Sequence, residues 1–181
     1  MTPDHLPGTT SDQYGPEQHT TASGAGTAGL MLRITAMSDP VARALEQTAI
    51  AEYAARYGKT SETPLPGHAL SPPSGLLLVG WIDGDPVGCG GWRWVSAGVA
   101  ELRRLYVVRD ARRYGVATSI LDAVEASAAA AGAQLLRADC GTEQPEAMSL
   151  YTSRGYTMVE PRTIDGRTTR SRRFERRTHG Q

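Results

Sequence analysis

Between Val99 and Ala131 the apolar pattern changes its period, and the change falls on a glycine. Val99 to Val108 reads as a strand, with Leu102 and the run Leu105-Tyr106-Val107-Val108 as its apolar content. Arg109 to Tyr114 is a polar turn. From there the spacing is helical: Ala117, Ile120, Leu121, Val124, Ala128 and Ala131 fall at i, i+3, i+4, i+7, i+11 and i+14. Thr118, Asp122 and Glu125 lie off that stripe, and Gly132 ends it. A strand, a short Arg-rich turn and a helix opening at Gly115 predict an α/β domain.

The remaining elements arrange themselves around this unit. Residues 1–29 are rich in Thr, Ser, Gly and Pro with almost nothing to bury, which predicts a disordered leader. Leu30 to Ala36 alternates as a first strand. Ser38-Asp39-Pro40 is a helix start, and Val41, Leu45, Ala49 and Tyr53 carry the helix to Tyr57, with Gly58 as its stop. Lys59 to Gly75 holds four prolines and no regular period, so it reads as a loop, with room for a helical turn. Leu76 to Ile82 and Val87 to Val95 form a hairpin about Asp83-Gly84-Asp85. Leu135 to Ala138 is a strand, Pro145 to Ser153 a short helix closed by Gly155, and Tyr156 to Glu160 and Ser171 to Arg177 the last strands. The expected organisation is a leader at 1–29, one domain at 30–178 and a tail at 179–181.

Composition narrows the function. A chain of 181 residues suits one domain with a real core. Its formal net charge of +0 gives no general attraction to nucleic acid. The charge is uneven, however: no Lys or Arg precedes Arg33, and the stretch from Pro161 holds seven Arg against Asp165 and Glu175. Such a run can bind anions or RNA, but a solvated surface segment is the commoner explanation, and zero net charge argues against RNA. Cys89 and Cys140 form no CxxC or metal-ligand spacing, so no metal is expected. His5, His19, His68 and His179 fall in no recognisable catalytic motif. No apolar run approaches the roughly 18 residues of a membrane span. No signal peptide is visible, and a cytoplasmic location is expected.

The turn before Gly115 carries the chemistry. The first N–H groups of a helix lack intrahelical partners, and the helix dipole adds positive charge there. Gly115 and Ala117 leave room for close approach, and Arg112 and Arg113 bring full charges that suit phosphate. Together these describe a pyrophosphate site. Neither G-x-x-x-x-G-K-[ST] nor G-x-G-x-x-G occurs in the chain.

Arg112, Gly115 and Ala117 in R-R-Y-G-V-A, preceded by E-L-R-R-L-Y-V-V, fill a [QR]-x-x-G-x-[GA] turn. Ala147, Leu150, Tyr151, Gly155 and Tyr156 fill a later A-x-x-L-Y-x-x-x-G-[FY] helix. The pair resembles the GNAT superfamily of N-acetyltransferases over roughly Met31 to Arg177. The resemblance implies a central mixed, largely antiparallel sheet of about six to seven strands flanked by about four helices. It implies acetyl-CoA as co-substrate and a primary amine of a small molecule, amino acid or protein as acceptor. It implies that Leu105, Tyr106 and Val107 hold the pantetheine arm by their backbone, and that the amides of Arg113, Tyr114, Gly115, Val116, Ala117 and Thr118 wrap the pyrophosphate. The fourth and fifth of the strands read above would splay to admit the thioester. Gln144 stands where the family often has an Asn that binds the cofactor arm. Family members are often dimers, which leaves a homodimer open.

Acetyl transfer needs an uncharged amine, a donor for the developing oxyanion and a proton for the leaving thiolate. The resemblance makes Tyr151 the candidate for that proton and Glu101 the candidate base. Tyr151 as an ordinary core aromatic, and Glu101 as a strand carboxylate paired with Arg93 or Arg103, are the plainer alternatives. Asp139 and Glu146 are weaker bases by the same reading. Trp81, Trp92 and Trp94 cluster in the hairpin, in the core or at an acceptor pocket or oligomer contact. A non-catalytic acyl-CoA-binding sensor or regulatory module is the competing function. The resemblance implies that the acceptor site is built by the first-helix loop and the last hairpin, here Lys59 to Gly75 and Pro161 to Arg170.

Overall fold

The computed structural model describes residues 20–21, 27–58, 65–159, 163–164, 167–168 and 171–178. Side chains are described for 27–58, 65–159 and 171–178. The elements run β1 (Thr20–Thr21), β2 (Met31–Ile34), α1 (Pro40–Tyr57), β3 (Gly75–Ile82), β4 (Asp85–Ser96), β5 (Val99–Val107), α2 (Val116–Ala130), β6 (Leu135–Gly141), α3 (Pro145–Ser153), β7 (Thr157–Val159), β8 (Thr163–Ile164), β9 (Arg167–Thr168) and β10 (Ser171–Arg177). One sheet has the order β1-β2-β3-β4-β5-β6-β10-β7, and β8 and β9 pair separately. Only β5 and β6 run parallel within it, because α2 provides the crossover between them.

Two departures from the sequence reading concern extent. Three helices are present among the described residues, where about four were expected, with a 3-10 turn at Arg109–Ala111. The leader expected to be disordered contributes β1, which pairs with β2 through Thr20 opposite Leu32, and it contributes Thr27, which is buried. His5, His19, His179 and the expected tail at 179–181 lie outside the described residues.

The helix α1 forms as its ends dictate. The Asp39 carboxylate accepts the Val41 N–H at 2.7 Å, Pro40 occupies the first turn, and Gly58 closes the helix in the left-handed region. Ala42, Leu45 and Ala49 are buried on one face of the sheet with Leu77, Val79, Cys89 and Tyr106. Leu70, from the expected loop, fills the same cluster. No helix among the described residues is long and apolar enough to cross a membrane.

On the other face α2 buries Val116, Ile120, Leu121, Val124 and Ala128 against Trp92, Leu102, Leu136, Ala138 and Phe174. The approach is close because β4 presents a floor without side chains. A Cβ at Gly90 would stand 2.7 Å from Ile120 Cγ2, and one at Gly88 3.1 Å from Ile120 Cδ1. Ile120 is fully buried in that floor and fixes the height of α2, hence the place where the helix begins.

Glu125, read as lying off the apolar stripe, is instead only 5% exposed. It accepts Tyr156 Oη–H at 2.8 Å and pairs with Arg154 at 2.8 Å and Arg176 at 2.6 Å. Three partners from distant segments compensate the cost of burying its charge. Arg173 likewise pairs with Asp139, at 2.8 and 2.7 Å. Part of the Arg-rich C-terminal run is therefore spent inside the fold.

Candidate functional site

The strands β5 and β6 pair from Val99 opposite Leu135 to Leu102 opposite Ala138, and there the pairing stops. β5 continues to Val107 along β4, and β6 continues to Gly141 along β10. A wedge opens between them, as the resemblance implied. Its origin is a bulge: Arg104 lies in the left-handed region at φ 59, and Arg104 with Leu105 opposes the single residue Gly90. Beyond an inserted residue the side chains exchange faces. Leu102, Leu105 and Val107 join the core under α2, whereas Tyr106 joins the cluster under α1. Backbone groups of Leu105 to Val107 on the wedge side thus have no strand opposite them.

On the α2 side, Gly115 caps the helix with φ +84 and no side-chain hydrogen bond. The helical ladder starts only with Ser119 N–H to Gly115 O, so the amides of Val116, Ala117 and Thr118 lack intrahelical acceptors. Arg113, at φ 67, turns the chain just before them. Arg113, Tyr114, Gly115 and Thr118 are exposed, and Tyr114 presents a bare aromatic ring at 60% exposure. An open concavity of about 510 Å³ is lined by Arg109, Asp110, Arg112, Arg113 and Tyr114.

Arg112 is engaged within the fold. Its Nε donates to Val107 O at 2.8 Å and its Nη2 meets Glu52 Oε2 at 2.6 Å, with the guanidinium 5.6 Å from the Tyr106 ring centre. The side chain is turned back to tie the end of β5 to α1, because a carboxylate and a carbonyl lie within its reach on that side. Its charge is matched by Glu52, although the residue also lines the concavity. Gln144 is engaged too: its Oε1 accepts the Gly141 N–H at 2.7 Å, closing the turn between β6 and α3.

Tyr151 lies on the α2 side, 5% exposed, its ring 5.5 Å from Tyr156 and 5.6 Å from Phe174. Burial, then the neighbouring Cys140, Tyr53 and Asp139, raise its phenol above the ordinary tyrosine range. It keeps its proton at neutral pH. The Cys140 thiol is pushed up to about 11 by burial and then by Asp139 and Glu146, so it is not a ready nucleophile.

The α1 side is built from ion pairs. Arg93, Glu101, Arg137 and Glu175 lie in register across four strands. Glu101 is 6% exposed, and its Oε2 accepts from Arg93 Nε at 2.8 Å and Nη2 at 2.7 Å, with Arg103 at 4.0 Å. Because Leu102 faces α2, Glu101 and Tyr151 stand on opposite faces of the sheet near the apex of the wedge. Glu46 pairs with Arg104 at 2.7 Å, and Glu52 accepts the Tyr106 hydroxyl at 2.8 Å. Burial pushes Tyr106 up to about 12, and the Glu52 bond adds to the shift. Burial opposes ionisation of Glu52, but hydrogen bonds from Arg112 and Tyr106 leave its carboxyl below the usual range.

The last turn of α1 then crosses to the far side of the wedge. Arg56 reaches Glu143 O at 3.0 Å and Glu146 at 2.5 Å, and the Tyr57 hydroxyl accepts the Glu143 N–H at 3.1 Å. A side chain at Gly141 would collide with that phenol. Anchored at Tyr106 and Arg112 on one bank and at Glu143 and Glu146 on the other, α1 spans the opening. Sequence reasoning missed Glu52, Arg56 and Tyr57, since two acids and two arginines along α1 carry no pattern that singles them out. Trp92 is core, donating to Ser127 Oγ at 3.1 Å, with Trp94 edge-on at 5.1 Å. His68 is exposed.

Comparison with known proteins bears on this arrangement. The model of the Acetyltransferase (GNAT) family matches residues 42–156. Among curated proteins, none matches the chain. A Klebsiella pneumoniae structure bearing the name of an acyl-CoA N-acyltransferase is 25% identical, with a TM-score of 0.66 over 83% of this chain and 98% of that one. The GNAT domain of S. lividans PAT is 18% identical, with a TM-score of 0.64 over 90% and 97%. An Elizabethkingia anophelis GNAT family acetyltransferase with acetyl-CoA bound is 14% identical, with a TM-score of 0.60 over 83% and 99%. The last two are likenesses of fold.

Proposed function

This chain belongs to the acetyltransferase (GNAT) family, and we propose that it moves the acetyl group of acetyl-CoA onto a primary amine of a small molecule, amino acid or protein by direct attack on the thioester. The observation that carries the reading is the wedge between β5 and β6, open beyond Leu102 and Ala138, with uncapped amides at Gly115 beside it. The diphosphate would rest on the amides of Arg113 to Thr118, with Arg113 and Arg109 supplying charge and Tyr114 an exposed ring. The pantetheine arm would follow the backbone of Leu105 to Val107 into the wedge.

A thioester lying through the wedge offers its sulfur to one face of the sheet and its carbonyl carbon to the other. The amine nitrogen bonds to that carbon, the C–S bond breaks, and the thiolate takes a proton from the Tyr151 hydroxyl. Glu101, at the apex on the opposite face, would receive the amine's proton through water, since its Oε2 is held by Arg93. An amide N–H of the unpaired stretch of β5 would steady the oxyanion.

The test is thiol release from acetyl-CoA with a panel of amines, in wild type and in Tyr151→Phe. Turnover with one or more amines, reduced by about 100-fold in the variant at unchanged CoA affinity, is the expected result. Tight CoA binding without turnover for any amine would instead make the chain an acyl-CoA-binding sensor or regulatory module.

A further inference from the structure

The N-terminal segment ahead of the family-like domain touches the phosphate turn. Thr27 is 4% exposed, and its Cγ2 lies 3.4 Å from the point where a side chain at Gly115 would begin. Thr27 is fixed there by a β-turn. Leu30 N–H bonds to Thr27 O at 2.9 Å, and Gly29 takes φ +84 at the third position. Leu30 anchors the turn: it is 1% exposed, within 3.2 Å of the Cβ position at Gly80, and shares the core cluster of Ile120. The turn thereby hangs from the same packing that sets the height of α2.

We infer that Thr27 is a positioning residue for the cofactor turn: its methyl group, packed on the face of Gly115 from which a side chain would project, holds that glycine in the left-handed conformation that aims the Val116 to Thr118 amides outward. The inference rests on the proposed CoA reading. The physics is pre-organisation. A glycine visits many backbone states, and an anion that needs several amides convergent must otherwise bear the entropy of collecting them. A β-branched residue packed on one side of the α-carbon removes much of that freedom without touching the ligand. The leader segment is then part of the site, and cutting the chain at the apparent start of the domain would loosen CoA.

Calorimetry of CoA with the full chain and with Thr27→Val, Thr27→Ser and Thr27→Gly tests this, alongside thermal midpoints. Val keeps the methyl and is expected to bind as wild type. Ser and Gly lose it and are expected to bind about 3- to 5-fold and up to about 10-fold more weakly, with KM for acetyl-CoA rising and kcat unchanged. Midpoints within a few degrees of wild type show that the fold is retained. Equal CoA affinity in all four proteins overturns the inference, as does Ser binding normally while Val does not. Absence of CoA binding in wild type would sink the coenzyme reading itself and this proposal with it, and is told apart by the control alone.

Discussion

On the α2 side the wedge is bordered by hydrocarbon and bare backbone: a glycine cap, three helix amides without intrahelical acceptors, and Tyr151 buried among aromatic rings. On the α1 side the border is made of charged pairs, among them Arg93 with Glu101, Glu46 with Arg104 and Glu52 with Arg112. The first side offers donors waiting for an anion. The second has its charges already matched, so it offers shape and neutral surface more than a net field. A cofactor that every family member shares can be held by main chain, which leaves side chains free to vary. An acceptor that differs between members must be distinguished by side chains.

If the division is real, each side can be disabled without the other. Glu101→Gln is expected to have the largest effect, lowering kcat by about 100-fold while CoA affinity holds. An unchanged kcat would reduce Glu101 to a member of the charged row with Arg93. Gly115→Val comes next. The left-handed φ of +84 is strained for a branched residue, and the side chain would crowd Thr27. CoA binding, followed by calorimetry, should weaken about tenfold, whereas the pairing between α1 and β5 should be untouched.

The smallest effect lies in the pH dependence of stability. The Glu52 carboxyl is depressed in the folded chain, so its contribution is present above the ordinary carboxylate value of 4.5 and is lost as pH falls through the lower folded value. Urea midpoints should therefore fall on acidification below about pH 4.5, and Glu52→Gln should flatten that slope. The pair is about one-third exposed, so the difference should stay below about 1 kcal/mol. A slope identical in both proteins would show that α1 does not rely on this anchor.

Local features were legible in the chain because their causes are local. The caps of α1, the middle of the α2 stripe from Ile120 to Ala128 and the glycine opening at 115 depend on neighbours within a turn or two, and they stand where the spacing put them, while Ala131 is exposed and Val116 is buried instead. Arg112 shows the other case. Its place in the motif pointed to phosphate, but its partner Glu52 lies 60 positions away, and Tyr57 meets Glu143 across 86. Nothing in periodicity ranks such partners. Glu125 failed for the same reason: an acid off an apolar stripe is ordinarily solvated, and only the arrival of Arg154 and Arg176 from later segments makes its burial tolerable. The bulge at Arg104 was hidden because arginine carries no signal for a left-handed φ.

That one surplus residue works as a spacer that bends the strand. Were Arg104 deleted, Leu105 alone would oppose Gly90, and Tyr106 and Val107 would keep their partners and their faces. What would vanish is the bend, and with it the reason the strand parts from β6 beyond Leu102. A chain shortened by a single amino acid here would keep every later side chain in place and still shut the cleft.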